Sequence, residues 1–276
     1  MTLRYAYNTN GAANHRLDDA IRLIADAGYD GVALTLDHHH LDPFADDWQR
    51  EAERVAALLD KLRLGSVIET GARYLLDPRR KHEPTLIAPD AEGRARRVAF
   101  LDRALDVAAM LRSETVSFWA GVPQSGIDRD AALRWLDDGL AQVLDHAERC
   151  GVDGSFEPEP GMLIETVADY DRLRAAHPRL KLALDTGHCL VTEDIDPAEA
   201  VRRYADRIGT VAVEDMRRGE HVHLPFGEGD MDVPSVIAAL QGIGFDRLVC
   251  VELSRESPRA HAAIPEAIAY LRGIAA

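Results

Sequence analysis

One pattern recurs along the whole chain and restricts what it can fold into: a short apolar run, a polar or glycine-containing turn, and an amphipathic stretch. In the first unit, LRYAY precedes HRLDDAIRLIADAG, whose Leu17, Ile21 and Ile24 share one helical face. The other predicted strands are GVALTL, GSVIE, ETVSFW, VDGSFE, LKLALD, IGTVAVE and RLVCVEL. Eight such units in 276 residues predict an α/β protein with one (β/α)8 barrel domain over residues 1–276.

A doubly wound parallel sheet is the alternative fold for a series of alternating strands and helices. Such a sheet often carries a glycine-rich G-x-G-x-x-G turn after its first strand. The segment after LRYAY has no such turn, and no serine- or glycine-rich linker interrupts the series. The sequence therefore favours the closed barrel.

Charge and cysteine content narrow the classes of partner. The formal net charge of −15 would repel a phosphate backbone, so nucleic acid is not expected. The three cysteines, Cys150, Cys189 and Cys250, lack zinc-type spacing and suit a reducing cytosol. MTLRYAYNTN has no apolar signal region, and no apolar run has the length of a membrane span. We therefore expect a cytoplasmic protein without membrane partners, for which a homo-oligomer is compatible with the sequence.

Three predicted strands end in carboxylates. Glu157 ends the fifth strand in SFEPEPG, Asp185 the sixth in LALDTGH, and Glu252 the eighth in VCVEL. Since barrel active sites lie at the C-terminal strand ends, these acids should meet at one mouth. Any single one could merely cap the following helix, but three like charges together are costly unless a cation compensates them. The pattern predicts a divalent metal ion.

Four segments together resemble the xylose-isomerase-like TIM barrels, a family of sugar isomerases, ketose 3-epimerases, inosose-processing enzymes and endonuclease IV. These segments are EPEPG, LDTGH, HLPFGEGDMD and CVEL. The resemblance spans the chain and implies that Glu157, Asp185 and Glu252 bind one ion of Mn, Mg, Zn, Co or Fe. It also implies that His188, the histidine of D-x-x-H, contacts substrate, as in the epimerases, or binds metal, as in endonuclease IV.

The chain departs from this family in its seventh strand. Many relatives have a metal-binding histidine there, in a pattern like V-H-x-x-D, whereas this sequence has Ala212 in VAVED. His223 precedes a G-E-G turn at the spacing of an endonuclease IV ligand, so we expect it to supply the missing imidazole. His221 is the competing ligand and otherwise a substrate contact, and Glu214 is a third candidate.

Other strand ends offer further substrate contacts. Glu69 ends the third strand, and the loop behind it is long enough for a lid that carries Lys81. Trp119 ends the fourth strand, where an aromatic wall for a sugar would lie, although it could equally pack beneath a loop. Arg217 follows the seventh strand closely enough to bind a substrate oxygen.

The predicted function is divalent-metal-dependent isomerisation or epimerisation of a sugar, ketose or cyclitol. Glu157 and Glu252 would transfer the proton through a metal-stabilised enediolate. The alternative is a lyase or dehydratase acting on a keto-sugar or inosose. An endonuclease IV-like phosphodiesterase fits less well, because the chain is acidic and Ala212 replaces a ligand.

Overall fold

Eight parallel strands close into a barrel in the computed structural model, which describes residues 2–274. The strands of the chain are β1 (Arg4–Asn8), β2 (Gly31–Thr35), β3 (Gly65–Glu69), β4 (Thr115–Phe118), β5 (Asp153–Phe156), β6 (Lys181–Asp185), β7 (Ile208–Val213), β8 (Asp215–Arg217), β9 (Glu220–Leu224) and β10 (Leu248–Val251). β1 pairs with both β2 and β10, which closes the ring, while β8 and β9 form a separate antiparallel pair. The predicted (β/α)8 barrel is confirmed.

Helices surround the barrel. They are α1 (Leu17–Ala27), α2 (Trp48–Leu62), α3 (Ala91–Leu111), α4 (Arg129–Cys150), α5 (Val167–Ala176), α6 (Thr186–Thr192), α7 (Pro197–Arg203), α8 (Val233–Gly242) and α9 (Ala260–Ile274), with short 3-10 turns at Thr9–Ala12 and Ser257–Arg259. In α1 the predicted face is buried, and Gly28 ends the helix in the left-handed conformation at φ 91°. Between residues 2 and 274, none of the helices combines the length and apolarity needed to cross a membrane.

Small and apolar side chains fill the barrel beneath its mouth. Ala6, Ala33, Val67, Leu248 and Cys250 form a buried cluster inside the ring. The carboxylates at the strand ends therefore lie above an apolar floor, where burial disfavours their charged forms.

The segment after β7 forms an antiparallel hairpin of β8 and β9, whose turn contains Gly219 at φ 70°. His221 and His223 both lie on β9. Because side chains two residues apart in a strand point to the same side, the two imidazoles project together.

Candidate active site

A cavity of about 670 Å³ opens at the C-terminal ends of the strands. The predicted site residues that line it are Glu69, Lys81, Trp119, Glu157, His188, His221, His223 and Glu252. Asp185 lies behind this lining and is 3% exposed. The topology thus brings nearly all of the predicted residues to one mouth.

Asp185 has a structural role as a helix cap and also offers a carboxylate oxygen at the mouth of the barrel. It ends β6 and caps α6, since its Oδ1 accepts the His188 backbone N–H at 3.0 Å. Its Oδ2 is buried, with no hydrogen-bond partner among the residues described other than the neighbouring Glu214 carboxyl group. The D-T-G-H segment therefore uses one carboxylate oxygen as a helix cap and leaves the other free for a ligand.

His188 is held in one orientation by the backbone. Its Nδ1–H donates to the Pro158 carbonyl at 3.0 Å, which leaves Nε2 directed at Asp185 Oδ2, 3.4 Å away, and at His221 Nε2, 3.1 Å away. Burial opposes protonation of His188, but Asp185 and Glu159 raise its pKa above the usual value. A buried imidazole so fixed can donate a proton to a substrate oxygen.

Glu214 follows β7 and is completely buried, and in residues 2–274 its carboxylate oxygens have no hydrogen-bond partner other than the neighbouring Asp185 carboxyl group. Burial, followed by the charge of Asp185, raises its pKa well above the ordinary range. Gly187 makes room for it, because a Cβ at that position would lie 2.2 Å from Glu214 Oε1. An alanine there would displace the Glu214 carboxylate from its position.

Asp215 anchors the hairpin and the G-E-G turn behind it. Its two oxygens accept the backbone N–H groups of Gly227 at 2.8 Å and Met231 at 3.0 Å. A Cβ at Gly229 would lie 2.3 Å from Asp215 Oδ1 and 2.5 Å from the Met216 carbonyl, so this close approach requires glycine. The anchoring fixes β9 over the mouth.

Two clusters of possible metal ligands share Asp185. Asp185, Glu214 and His223 each offer a ligand atom within 4.8 Å of the others, as do Glu157, Asp185 and His188. Asp185 Oδ2, both Glu214 oxygens and His223 Nδ1 are buried without a hydrogen-bond partner outside this cluster in the described chain. Unpaired carboxylate and imidazole atoms that converge in this way fit a divalent cation, which would satisfy them together.

The cavity carboxylates strongly perturb one another. Burial, and then the charges of Glu159 and Glu69, raise the pKa of Glu157 well above its usual value. Burial and Glu252 raise the pKa of Glu69 to about 8, although Ser117 Oγ donates to it at 2.9 Å. Carboxyl groups with pKa values near neutrality can exchange protons with a substrate at physiological pH.

Glu252 and Glu159 lie outside the two clusters around Asp185. Asn10 Nδ2 donates to Glu252 Oε1 at 2.8 Å, and neither cluster around Asp185 includes Glu252. Glu159 Oε1 lies 3.8 Å from His221 Nε2. Burial raises the pKa of Glu159 to about 7, against the opposing charge of His188. Glu159 can therefore gain or lose a proton near neutral pH.

Trp119 forms one wall of the cavity and is supported from behind. The Arg97 guanidinium is fully buried 4.3 Å from the centre of the Trp119 ring, and its Nη2 donates to the Thr70 carbonyl at 2.9 Å. His82, from the predicted lid, meets the edge of the same indole at 5.6 Å between ring centroids. Lys81 is exposed in the same loop.

Arg217 lies outside the cavity lining. Its side chain is 56% exposed and its Nη1 is 3.8 Å from Glu220 in the hairpin, so the structure gives its predicted substrate contact no support. Arg255, which follows β10, lines the cavity instead. The sequence reasoning missed Arg255, Asn10 and Glu159. Only Glu159 had a clear signal, the repeated acid of E-P-E-P.

Comparison with known proteins agrees with this architecture. The model of the xylose isomerase-like TIM barrel family matches residues 21–274. Inosose dehydratase from Lacticaseibacillus casei is 30% identical over 145 residues, 46% of this chain and 48% of that protein, so the match spans about half of the curated relative. The structure of 3-keto-D-glucoside 4-epimerase from E. coli has a TM-score of 0.80 at 18% identity, covering 99% of this chain and 100% of that one.

A further structure, of the IolI protein with a zinc atom, has a TM-score of 0.75 at 16% identity and covers 99% of this chain and 98% of that one. At these identities the solved structures establish the common fold, and the family match extends over most of the chain. The chain belongs to the xylose isomerase-like TIM barrel family.

Proposed function

We propose that this protein is a divalent-metal-dependent isomerase or epimerase of a sugar, ketose or cyclitol that acts by proton transfer beside a carbonyl. The observation that carries the proposal is the cluster of Asp185, Glu214 and His223, whose ligand atoms lack partners outside the cluster in the described residues. His223 of this cluster lines the cavity, together with Glu157 and Glu252. The names of the relatives, a keto-glucoside epimerase and an inosose dehydratase, support a carbohydrate substrate.

The residues that would hold the ion are Asp185, Glu214 and His223, with Glu157 and Glu252 as the further predicted ligands. Two carboxylates with an imidazole form a mixed oxygen and nitrogen set, which suits Mn, Fe, Co or Zn better than Ca. When bound, such an ion polarises a carbonyl and makes the proton on the neighbouring carbon more acidic.

Glu157 and Glu252 are the proposed proton-transfer pair. They follow β5 and β10, which are separated in the ring by β6 and β7, so they approach a bound substrate from different sides. The raised pKa of Glu157 makes it a stronger base than an ordinary carboxylate once ionised. Return of the proton to the same carbon by the other glutamate gives an epimer, and return to the adjacent carbon gives an isomer.

The remaining cavity residues would orient the substrate. His188 and His221 are placed to hydrogen-bond its hydroxyl groups, and Trp119 offers an apolar wall to its ring face. Lys81 and Arg255 would reach oxygens at the outer end, while Glu69 would accept a hydroxyl proton.

A dehydratase is the second candidate function. The Lacticaseibacillus casei relative is named for that reaction, which also begins with removal of a proton beside a carbonyl. Loss of water then requires an acid beside the leaving hydroxyl. Glu159, with a pKa of about 7 and within 3.8 Å of His221, has the protonation state for that role.

Incubation of the metal-loaded protein with ketoses, keto-glycosides and inososes in deuterated water tests the proposal. Proton transfer should place deuterium beside the carbonyl, and Glu157→Gln or Glu252→Gln should abolish the exchange, while exposed Glu53→Gln on α2 should leave it unchanged. A deuterated epimer or isomer supports the first function, and a dehydrated product supports the second. Cleavage of abasic-site DNA without exchange into any of these substrates would contradict both.

A further inference from the structure

A second group of metal-ligating side chains lies outside the cavity, between α3 and α4. α3 carries Asp102 and Asp106, and α4 carries His146 and Cys150. Each pair is four residues apart, so its members lie on one face of their helix. The two faces meet, because His146 Nε2 is 2.8 Å from Asp106 Oδ1.

The ligand atoms of this group converge. Cys150 Sγ is 3.8 Å from the same Asp106 oxygen, and the ligand atoms of Asp106, His146 and Cys150 all lie within 4.8 Å of one another. All three residues are partly buried. Zinc binds nitrogen at about 2.0 Å and sulfur at about 2.3 Å, so two ligands of one ion lie roughly 3–4 Å apart. The observed spacing needs only small side-chain movements to match that geometry.

We propose that Asp106, His146 and Cys150 form a second metal site for a borderline-soft divalent ion such as Zn²⁺ or Co²⁺. A set with sulfur, nitrogen and oxygen selects these ions over Mg²⁺ and Ca²⁺. Binding replaces the S–H bond of Cys150 by a sulfur–metal bond, and the thiol proton goes to solvent. The ion would join α3 to α4.

Asp102 lies on the other side of the imidazole, where it would support the ring once the ion is bound. Asp102 Oδ1 is 3.9 Å from His146 Nδ1 and is buried without a hydrogen-bond partner in the part of the chain described. A carboxylate that accepts the second N–H of a metal-binding histidine fixes the ring and strengthens the ligand. Asp102 is therefore a positioning residue of this site.

Two arginines lie close by without blocking the ion. Arg149 Nη2 is 3.1 Å from His146 Nδ1, and Arg103 Nε is 3.7 Å from Asp106 Oδ2. Both contacts use the atoms that face away from the proposed ion. His146 Nε2, Asp106 Oδ1 and Cys150 Sγ remain directed at one another. When the ion binds, Arg149 would have to leave His146 Nδ1 so that the Nδ1–H can donate to Asp102.

Cobalt titration of the full-length protein tests this site, because a cobalt–thiolate bond has a near-ultraviolet charge-transfer band. The two clusters around Asp185 contain no cysteine, so in the described structure the band would report the α3–α4 site alone. We expect Co²⁺ in excess of both sites to produce the band in the wild type, and one equivalent to produce it in Asp185→Asn. Cys150→Ser and His146→Gln should lose it.

His177→Gln is the matched control. His177 Nε2 is also paired with an aspartate, Asp137, at 2.6 Å, but this pair belongs to none of the groups of possible metal ligands in the described residues. This variant should keep the band. Absence of the band from folded wild-type protein, or its persistence in Cys150→Ser, would overturn the proposal.

Alkylation of Cys150 gives a second measurement that needs no variant. Cys189 and Cys250 are buried, whereas Cys150 is partly exposed. Zn²⁺ should slow alkylation of Cys150 by at least tenfold, and a chelator should restore the rate. An unchanged rate at saturating Zn²⁺ would contradict metal binding by the thiol.

Discussion

Replacement of Glu214 by glutamine should change stability in opposite directions with and without metal. In chelated protein at pH 8, the raised pKa of Glu214 means that folding either takes up a proton or buries a charge beside Asp185. Each pKa unit between the unfolded value and the assay pH costs at most about 1.4 kcal/mol. Relaxation of the structure and alternative contacts reduce this cost. We therefore expect the free energy of unfolding of the variant to be higher by about 1–3 kcal/mol.

The metal-loaded protein should respond in the opposite way. There the Glu214 carboxylate is a proposed ligand, and loss of a direct or supporting ligand lowers metal affinity by about 10–100-fold. That change corresponds to about 1.4–2.8 kcal/mol of lost metal-linked stabilisation. The increase in Tm on adding saturating Mn²⁺ should therefore be smaller in the variant by several degrees, at about 2–4 °C per kcal/mol for a chain of this size.

Scanning calorimetry with chelator and with Mn²⁺, together with titration calorimetry of the ion, measures both effects. The stability gain in chelator should shrink as the pH falls and disappear below about pH 4, where glutamate in the unfolded chain also binds a proton. Exposed Glu53→Gln is the matched control and should change neither quantity. Unchanged metal affinity in Glu214→Gln would refute the reasoning.

Three further predictions concern neighbouring residues. His223→Ala should lower metal affinity by about 10–100-fold, whereas His221→Ala should raise KM without changing metal content. Elemental analysis measures the first effect and steady-state kinetics the second. Reversed effects would make His221 the ligand and His223 the substrate contact. In chelated protein, the free energy of unfolding should fall between about pH 5 and 8. In Glu69→Gln this fall should be less steep, by up to about 1.4 kcal/mol per pH unit. The raised Glu69 pKa of about 8 makes the folded state bind the proton more tightly, so its contribution is lost as pH rises; parallel denaturant curves would contradict this. Arg97→Met removes the cation behind Trp119. It should shift the fluorescence emission of Trp119 and raise KM several-fold, with kcat nearly unchanged. An unaltered emission spectrum would show that Arg97 does not position the indole.

The barrel was predictable because its signals are local and repeated. Apolar runs, helical faces such as that of Leu17 and Ile21, and caps such as Gly28 each point to the same βα unit. Once the barrel is inferred, its topology brings the strand-end acids Glu157 and Asp185 to one mouth without any further information.

The details that depend on contacts distant in sequence were not predictable in the same way. The hairpin after β7 depends on Asp215 accepting backbone groups from Gly227 and Met231, more than ten residues away. That hairpin directs Arg217 away from the cavity. The space that Gly187 leaves for Glu214 likewise comes from the packing of α6 against the end of β7.

Metal binding by Asp185→Asn tests the central claim most directly. The measurement is the content and affinity of Mn²⁺ or Zn²⁺ in a Cys150→Ser background, which removes the thiol ligand between α3 and α4. Asp153→Asn, at the start of β5 and in none of the groups of possible metal ligands among the described residues, is the control. We predict one bound ion in the parent and in the control, and an affinity lower by roughly a hundredfold in Asp185→Asn. Equal affinity in all three proteins would contradict a metal centre at Asp185.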